Sequence, residues 1–142
     1  MRLYFAYGSN MVTRQMAKRC PRARLLGTAV LPDHRFAIAG SGFATIVPRP
    51  RARVWGVVWR LAPGDEAALD RYEDVAGGVY RRQHRPVRLD GRPQSALIYV
   101  AAARPSGRAR LAYLAAILAA AEAFAFPEDY RRELEALLAH AG

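Results

Sequence analysis

Lysine is nearly absent from this chain: Lys18 stands alone beside 21 arginines. Cysteine is as scarce, and the one thiol, Cys20, cannot form an internal disulfide, which excludes a disulfide-stapled scaffold. Three histidines, His34, His84 and His140, are scattered and with Cys20 lack the ligand spacing of a structural zinc, so neither a metal nor a cofactor is expected. No apolar run reaches the ~20 residues that a membrane span needs, and no membrane partner is expected. The segment before Gly8 is too short for the apolar region of a secretory signal, so cytoplasmic residence is the expectation.

Acidic residues are also few, 12 against 22 basic, which leaves a net charge of +10. Such an excess permits nucleic-acid binding. The arginines, however, are spread along the chain, whereas a nucleic-acid reader gathers them on one face among aromatics. Nucleic acid is therefore disfavoured as the partner, and the near-total use of arginine together with abundant alanine reads as compositional bias. A length of 142 residues with 52% hydrophobic content fits one globular domain over residues 1–142.

Strand and helix patterns alternate without a linker. Arg2–Tyr7 reads as a strand, and Met11 to Arg19 as a short helix stopped by Cys20-Pro21, because the residue before proline is pushed out of helical conformation. Arg35–Ala39, Phe43–Val47, Arg53–Leu61, Val79–Leu89 and Gln94–Ala102 are rich in β-branched and aromatic residues and are punctuated by Gly or Pro. Asp90-Gly91 signals a hairpin, and Asp65 is placed to cap a helix over Glu66 to Asp74. A helical region from about Arg108 to His140, broken near Pro127, completes the chain. The pattern predicts an α+β fold: a mixed five- to six-stranded curled sheet or small barrel with flanking helices.

Two places carry chemistry. The first strand runs into Gly8-Ser9-Asn10 and then into the Met11 helix, a junction that can aim several backbone N–H groups at one anion, phosphate or carboxylate. The second is Glu73. It falls in the last turn of its helix, where the dipole disfavours an anion by about 0.3–1 kcal/mol, and Asp70 adds like charge. Both push its pKa upward, the direction a proton shuttle near neutrality needs. The following Gly77-Gly78 allows a sharp turn that brings Val79-Tyr80 back beside it.

Other chemistries find little support. Ser9 and Ser41 lie in Gly-containing turns without a nucleophile elbow or an Asp-His pair, and Gly40-Ser41-Gly42 is short for a phosphate loop and has no lysine after it. Trp55 and Trp59, four apart on a strand, read as core, Met11 and Met16 as helix packing, and Cys20 as a turn residue.

These residues resemble the gamma-glutamylcyclotransferase family. The likeness is carried by Tyr7-Gly8-Ser9-Asn10-Met11, Phe43-Ala44-Thr45-Ile46, Val54-Trp55-Gly56-Val57-Val58 and Leu69-Asp70-x-x-Glu73, with Tyr80 seven residues after the Glu. Pro105-Ser106, Tyr113-Leu114-x-x-Ile117 and Phe126-Pro127-Glu128-Asp129-Tyr130 extend it over nearly the whole chain. The resemblance implies cyclisation of a gamma-glutamyl group to 5-oxoproline with release of an amine. It assigns the loop of Tyr7, Gly8, Ser9 and Asn10 to the glutamyl α-carboxylate, Glu73 to general acid/base work, and Tyr80 and Tyr113 to the pocket wall.

The chain departs from the family pattern at two places. Asp74 stands where relatives often have Gly after the Glu, and Phe43 follows Ser41-Gly42 where relatives often have two glycines, which would narrow the pocket. The leaving group stays open among amino acids, lysine-type amines and biosynthetic intermediates, with the arginine excess pointing to an acidic one. The alternative reading is a non-catalytic basic module that contacts nucleic acid or an acidic partner.

Overall fold

Four consecutive apolar residues, Leu3–Ala6, form β1, and all four are buried. In the computed structural model, which describes residues 2–105 and 107–141, this strand lies between two neighbours. β3 (Ala44–Arg60) runs antiparallel to it, with Leu3 opposite Arg60 and Ala6 opposite Val57. β5 (Arg92–Ala101) runs parallel, with Tyr4 opposite Leu97. A strand paired on both edges and covered on both faces needs an unbroken apolar run, and Leu-Tyr-Phe-Ala supplies one.

β2 (Arg24–Ile38) pairs with β3 over most of its length and with β4 (Tyr80–Leu89) at Ala29 and Val30. β4 returns as β5 through Asp90-Gly91, both at positive φ (52° and 75°), the twist that a two-residue hairpin requires. The order β1-β3-β2-β4-β5 closes through the β1–β5 pair into a five-stranded barrel, which leaves no free sheet edge. The expected α+β barrel is present, with five strands.

Two strands run longer than the sequence pattern suggests. Phe43–Val47 and Arg53–Leu61 are parts of one strand, β3, that continues through Pro48 and Pro50. Those prolines sit on an exposed stretch opposite a bulge in β2, where a missing N–H is tolerated. Asp33 (φ 58°) and Arg51 (φ 68°) form the irregularity, and the Arg51 amide donates to Asp33 Oδ1 at 2.9 Å. The part of β2 from Arg24 to His34 escapes the alternation rule because a register shift at Leu26 and another at Asp33 break its period of two.

Four helices flank the barrel: α1 (Thr13–Arg19), α2 (Asp65–Tyr72), α3 (Leu111–Ala123) and α4 (Glu128–Leu138). α1 starts two residues later than predicted. Asp65 is not the cap of α2: Gly64, at φ 89°, takes that position, and the Asp65 carboxylate turns back to accept the Ala62 amide at 2.7 Å. α2 ends at Tyr72 rather than Asp74, because Asp74 has left the helical region for φ 50°. The break between α3 and α4 falls just before Glu128, with Pro127 in extended conformation. Phe126, Tyr130 and Leu134 bury there, with Trp55 packed on Phe126.

Trp59 is buried as expected, and Cys20 is a core residue rather than a mere turn residue. Ser106 of the Pro105-Ser106 pair lies outside the described residues. Among the described residues no helix is long and apolar enough to cross a membrane.

The barrel wall is closely packed at Gly56 on β3, where a Cβ would lie 2.4 Å from the Ala6 carbonyl oxygen and 2.7 Å from Phe5 Cζ. Neither neighbour can move away, since both belong to the buried β1. Gly56→Ala is expected to destabilise by about 2–3 kcal/mol and to lower the melting temperature by roughly 5–10 °C in a thermal melt; a midpoint within about 1 °C of wild type would refute this packing.

Candidate active site

β1 delivers the first part of the site. Past Ala6 the chain continues through Tyr7, whose buried hydroxyl donates to the Tyr99 carbonyl while its ring packs edge-on against Phe36. Ser9–Met11 then make a single 3-10 turn, closed by Met11 N–H to Gly8 O at 3.0 Å and Val12 N–H to Ser9 O at 3.0 Å. Val12 is extended (φ −74°, ψ 111°) and separates this turn from α1. The junction is therefore a turn and not the N-terminus of a long helix, and its donors are local amides rather than a macrodipole. Among the described residues the Gly8, Ser9 and Asn10 amides donate to no backbone carbonyl.

Asn10 fixes the turn with every polar group of its side chain and its own carbonyl. Buried to 3% exposure, it donates from Nδ2 to Tyr4 Oη (3.0 Å) and accepts from Arg19 Nη1 at Oδ1 (2.6 Å). Its backbone oxygen accepts from Trp59 Nε1 at 3.0 Å. The Arg19 guanidinium also lies 3.5 Å over the Tyr72 ring, and Tyr72 Oη meets Ser9 Oγ at 3.2 Å.

α2 delivers the second part. Leu69 is fully buried beneath it, and Asp70 ties it to the barrel by accepting from Tyr99 Oη (2.6 Å) and Arg82 Nη1 (2.8 Å). Glu73, one turn on, caps the helix, its amide donating to Leu69 O at 2.8 Å. Its half-buried carboxyl has no hydrogen bond or ion pair among the described residues, and burial pushes its pKa up to about 7 against the opposing pull of Arg19. The direction matches the sequence reading, but the cause differs. Desolvation replaces the helix dipole and Asp70, whose charge is answered by Arg82 and Tyr99.

Asp74 does not crowd Glu73. At φ 50° it occupies the left-handed region that Asp tolerates, and its Oδ1 accepts the Gly77 amide at 3.0 Å. A Cβ on Gly77 would lie 2.4 Å from Asp74 Oδ2, so a larger residue there would push this carboxylate aside. The Val79 amide bonds Asp74 O at 3.1 Å, and Val79-Tyr80 returns beside Glu73.

Tyr80 and Tyr113 both hold the Ala44 backbone. Tyr80 Oη donates to the Ala44 carbonyl at 2.6 Å, and the Ala44 amide donates to Tyr113 Oη at 3.0 Å. All seven residues proposed from the sequence, Tyr7, Gly8, Ser9, Asn10, Glu73, Tyr80 and Tyr113, border one cavity of ≈ 170 Å³.

Tyr4 and Tyr99 border it as well and were not foreseen. Tyr4 and Tyr113 each accept an N–H, which leaves their own hydroxyl hydrogens uncommitted among the described residues. Burial raises both phenols, Tyr113 to about 12, so each stays protonated. The signal for Tyr4 was a hydroxyl inside an otherwise apolar buried strand; for Asp70 it was a carboxylate one turn before Glu73.

The sequence model described as gamma-glutamyl cyclotransferase, AIG2-like matches residues 4–116. This chain belongs to that family. It is similar to the gamma-glutamylcyclotransferase of Mus musculus, 31% identical over 95% of this chain and 78% of that protein, and to that of Homo sapiens, 38% identical over 55% of this chain and 47% of that one. A solved structure titled gamma-glutamyl cyclotransferase superposes with a TM-score of 0.88 at 29% identity, covering 95% of this chain and 86% of the other. The protein is thus an enzyme of the gamma-glutamylcyclotransferase type.

In this cyclotransferase the raised Glu73 pKa has a cost to folding. The folded state holds the proton more tightly than the unfolded chain, where the value is near 4.5, so stability falls as pH rises from about 4.5 to about 7. Glu73→Gln removes that titration. Its stability relative to wild type, from urea unfolding, should grow by about 2–3 kcal/mol between about pH 4 and about pH 8; a constant difference would mean that the carboxyl is not raised.

Proposed function

We propose that the enzyme cyclises a gamma-glutamyl group to 5-oxoproline and that Glu73 carries the protons. The observation behind this reading is the placement of an unpaired, half-buried carboxyl with a pKa near 7 in the same cavity as three uncommitted turn amides. In this reading the amides of Gly8, Ser9 and Asn10 take the glutamyl α-carboxylate, and Asn10 with its three partners keeps them in place.

Nucleophile and electrophile belong to one substrate molecule, so no Ser or Cys nucleophile is required and the enzyme's task is orientation and proton transfer. Ionised Glu73 removes a proton from the α-ammonium, and the freed amine attacks the γ-carbonyl carbon. The hydroxyls of Tyr4 and Tyr113, each with its hydrogen free, stabilise the negative charge that develops on the carbonyl oxygen. Protonated Glu73 then gives its proton to the departing nitrogen as the C–N bond breaks. The ring nitrogen, which still carries two hydrogens after the attack, gives one to the regenerated Glu73 carboxylate, which passes it to the released amine; the last α-ammonium proton stays on the lactam nitrogen, and no water is consumed.

Tyr80 and Tyr7 act here by position: one holds Ala44 and the other holds the turn. A cavity with no arginine on its wall among the described residues favours this reading over a basic module that binds a polyanion.

Glu73→Gln should lower 5-oxoproline release by about 10²–10⁴-fold, roughly 3–5 kcal/mol of barrier, with KM little changed. Release would be followed from a panel of gamma-glutamyl amino acids and amines, and activity within a few-fold of wild type would remove Glu73 from this role. The wild-type rate should rise through about pH 7 as Glu73 ionises. Arg19→Gln, which withdraws the cation that lowers the Glu73 pKa, should move that rise to higher pH; an unmoved profile would separate the rise from Glu73.

A further inference from the structure

We propose that the mouth of the cavity, formed by Phe43, Tyr72 and Val79, is a subsite for an apolar or aromatic side chain on the leaving amine. This rests on the cyclotransferase reading and adds the class of leaving group. Six large apolar side chains among the described residues are markedly exposed. Three of them border this one cavity: Phe43 at 50%, Tyr72 at 43% and Val79 at 40%. Scattered exposed apolar residues are ordinary, whereas a cluster at the rim of a pocket marks a binding surface.

Each of the three is held in position. Phe43 packs edge-on against Tyr113 with ring centroids 5.4 Å apart. Tyr72 is fixed by Arg19 on its face and Ser9 at its hydroxyl. Val79 is anchored by its amide on Asp74 O.

Charge points the same way. Glu73 and Asp74 border the cavity, and among the described residues no arginine does. Arg19, the nearby cation, is already bonded to Asn10 and stacked on Tyr72. An acidic side chain would meet two carboxyl groups with no free partner, so the overall arginine excess does not select an acidic leaving group. The glutamyl part, held by the turn amides and Glu73, occupies the enclosed end, and the side chain of the released amine lies across the aromatic rim.

The test is kcat/KM for 5-oxoproline release from gamma-glutamyl-phenylalanine, gamma-glutamyl-leucine, gamma-glutamyl-glycine and gamma-glutamyl-glutamate. Wild type should prefer the first two over the glycine compound by at least about fivefold, and the glutamate compound should be the poorest. Phe43→Ala should shrink the phenylalanine-to-glycine ratio severalfold, and Phe43→Leu, which keeps an apolar side chain, should restore most of it. The ratio is internal to each variant, so a general loss of activity does not mimic the effect. Release with a flat preference, a preference for the glutamate compound, or a ratio that Phe43→Ala leaves unmoved would overturn this inference while the reaction stands. No release from any of the four would overturn both.

Discussion

One buried amide organises the end of this barrel that holds the cavity. Asn10 joins β1 through Tyr4, α1 through Arg19 and, 49 residues further along the chain, β3 through Trp59. Inside a protein such an amide is costly unless all its groups are paired, and here each finds a partner. The arrangement leaves the adjacent turn amides unoccupied without leaving the turn loose. Free donors in a rigid turn are what an anionic group requires of a binding site.

The opposite wall follows a complementary rule. Asp70 and Glu73 sit one helical turn apart on α2, yet their surroundings separate them: Asp70 is answered by Arg82 and Tyr99, while Glu73 faces a cavity lined by phenols. The paired carboxylate anchors the helix and the unpaired one titrates near neutrality. Two like side chains acquire different tasks from their environments, and the helix carries one to hold the other.

Much of this was legible in the chain. The buried run Leu3–Ala6, the Asp90-Gly91 turn and the stop at Cys20-Pro21 follow from local rules that tertiary contacts leave intact. The gathering of Tyr7 to Asn10, Glu73, Tyr80 and Tyr113 was indicated by resemblance, since nothing local says that residues so far apart meet. β2 and β3 were misjudged because prolines and positive-φ residues mark breaks in an isolated strand, but a bulged two-stranded ribbon absorbs them. The origin of the Glu73 shift was not readable either: desolvation depends on what surrounds a group, and the cavity that Glu73 shares is bordered by Tyr4, Tyr80 and Tyr113, from β1, β4 and α3. Tyr4 was overlooked because an aromatic in an apolar strand reads as packing until its hydroxyl is seen to have a partner.

The parallel contact of β1 with β5 sets an order of assembly. The segment that forms the turn is made before the rest of the barrel, at about 5–20 residues per second, yet its second edge finds no partner until Leu97 has been made. Until then Leu-Tyr-Phe-Ala is an apolar strand with one edge open, and the loop that must close to cover it spans more than half the chain. Non-local pairing of this kind is slow to form and late to be rewarded. The turn after β1 is thus encoded ahead of the rest of the barrel and fixed only once β5 has been made, so a chain cut short of β5 carries the turn's sequence without its geometry.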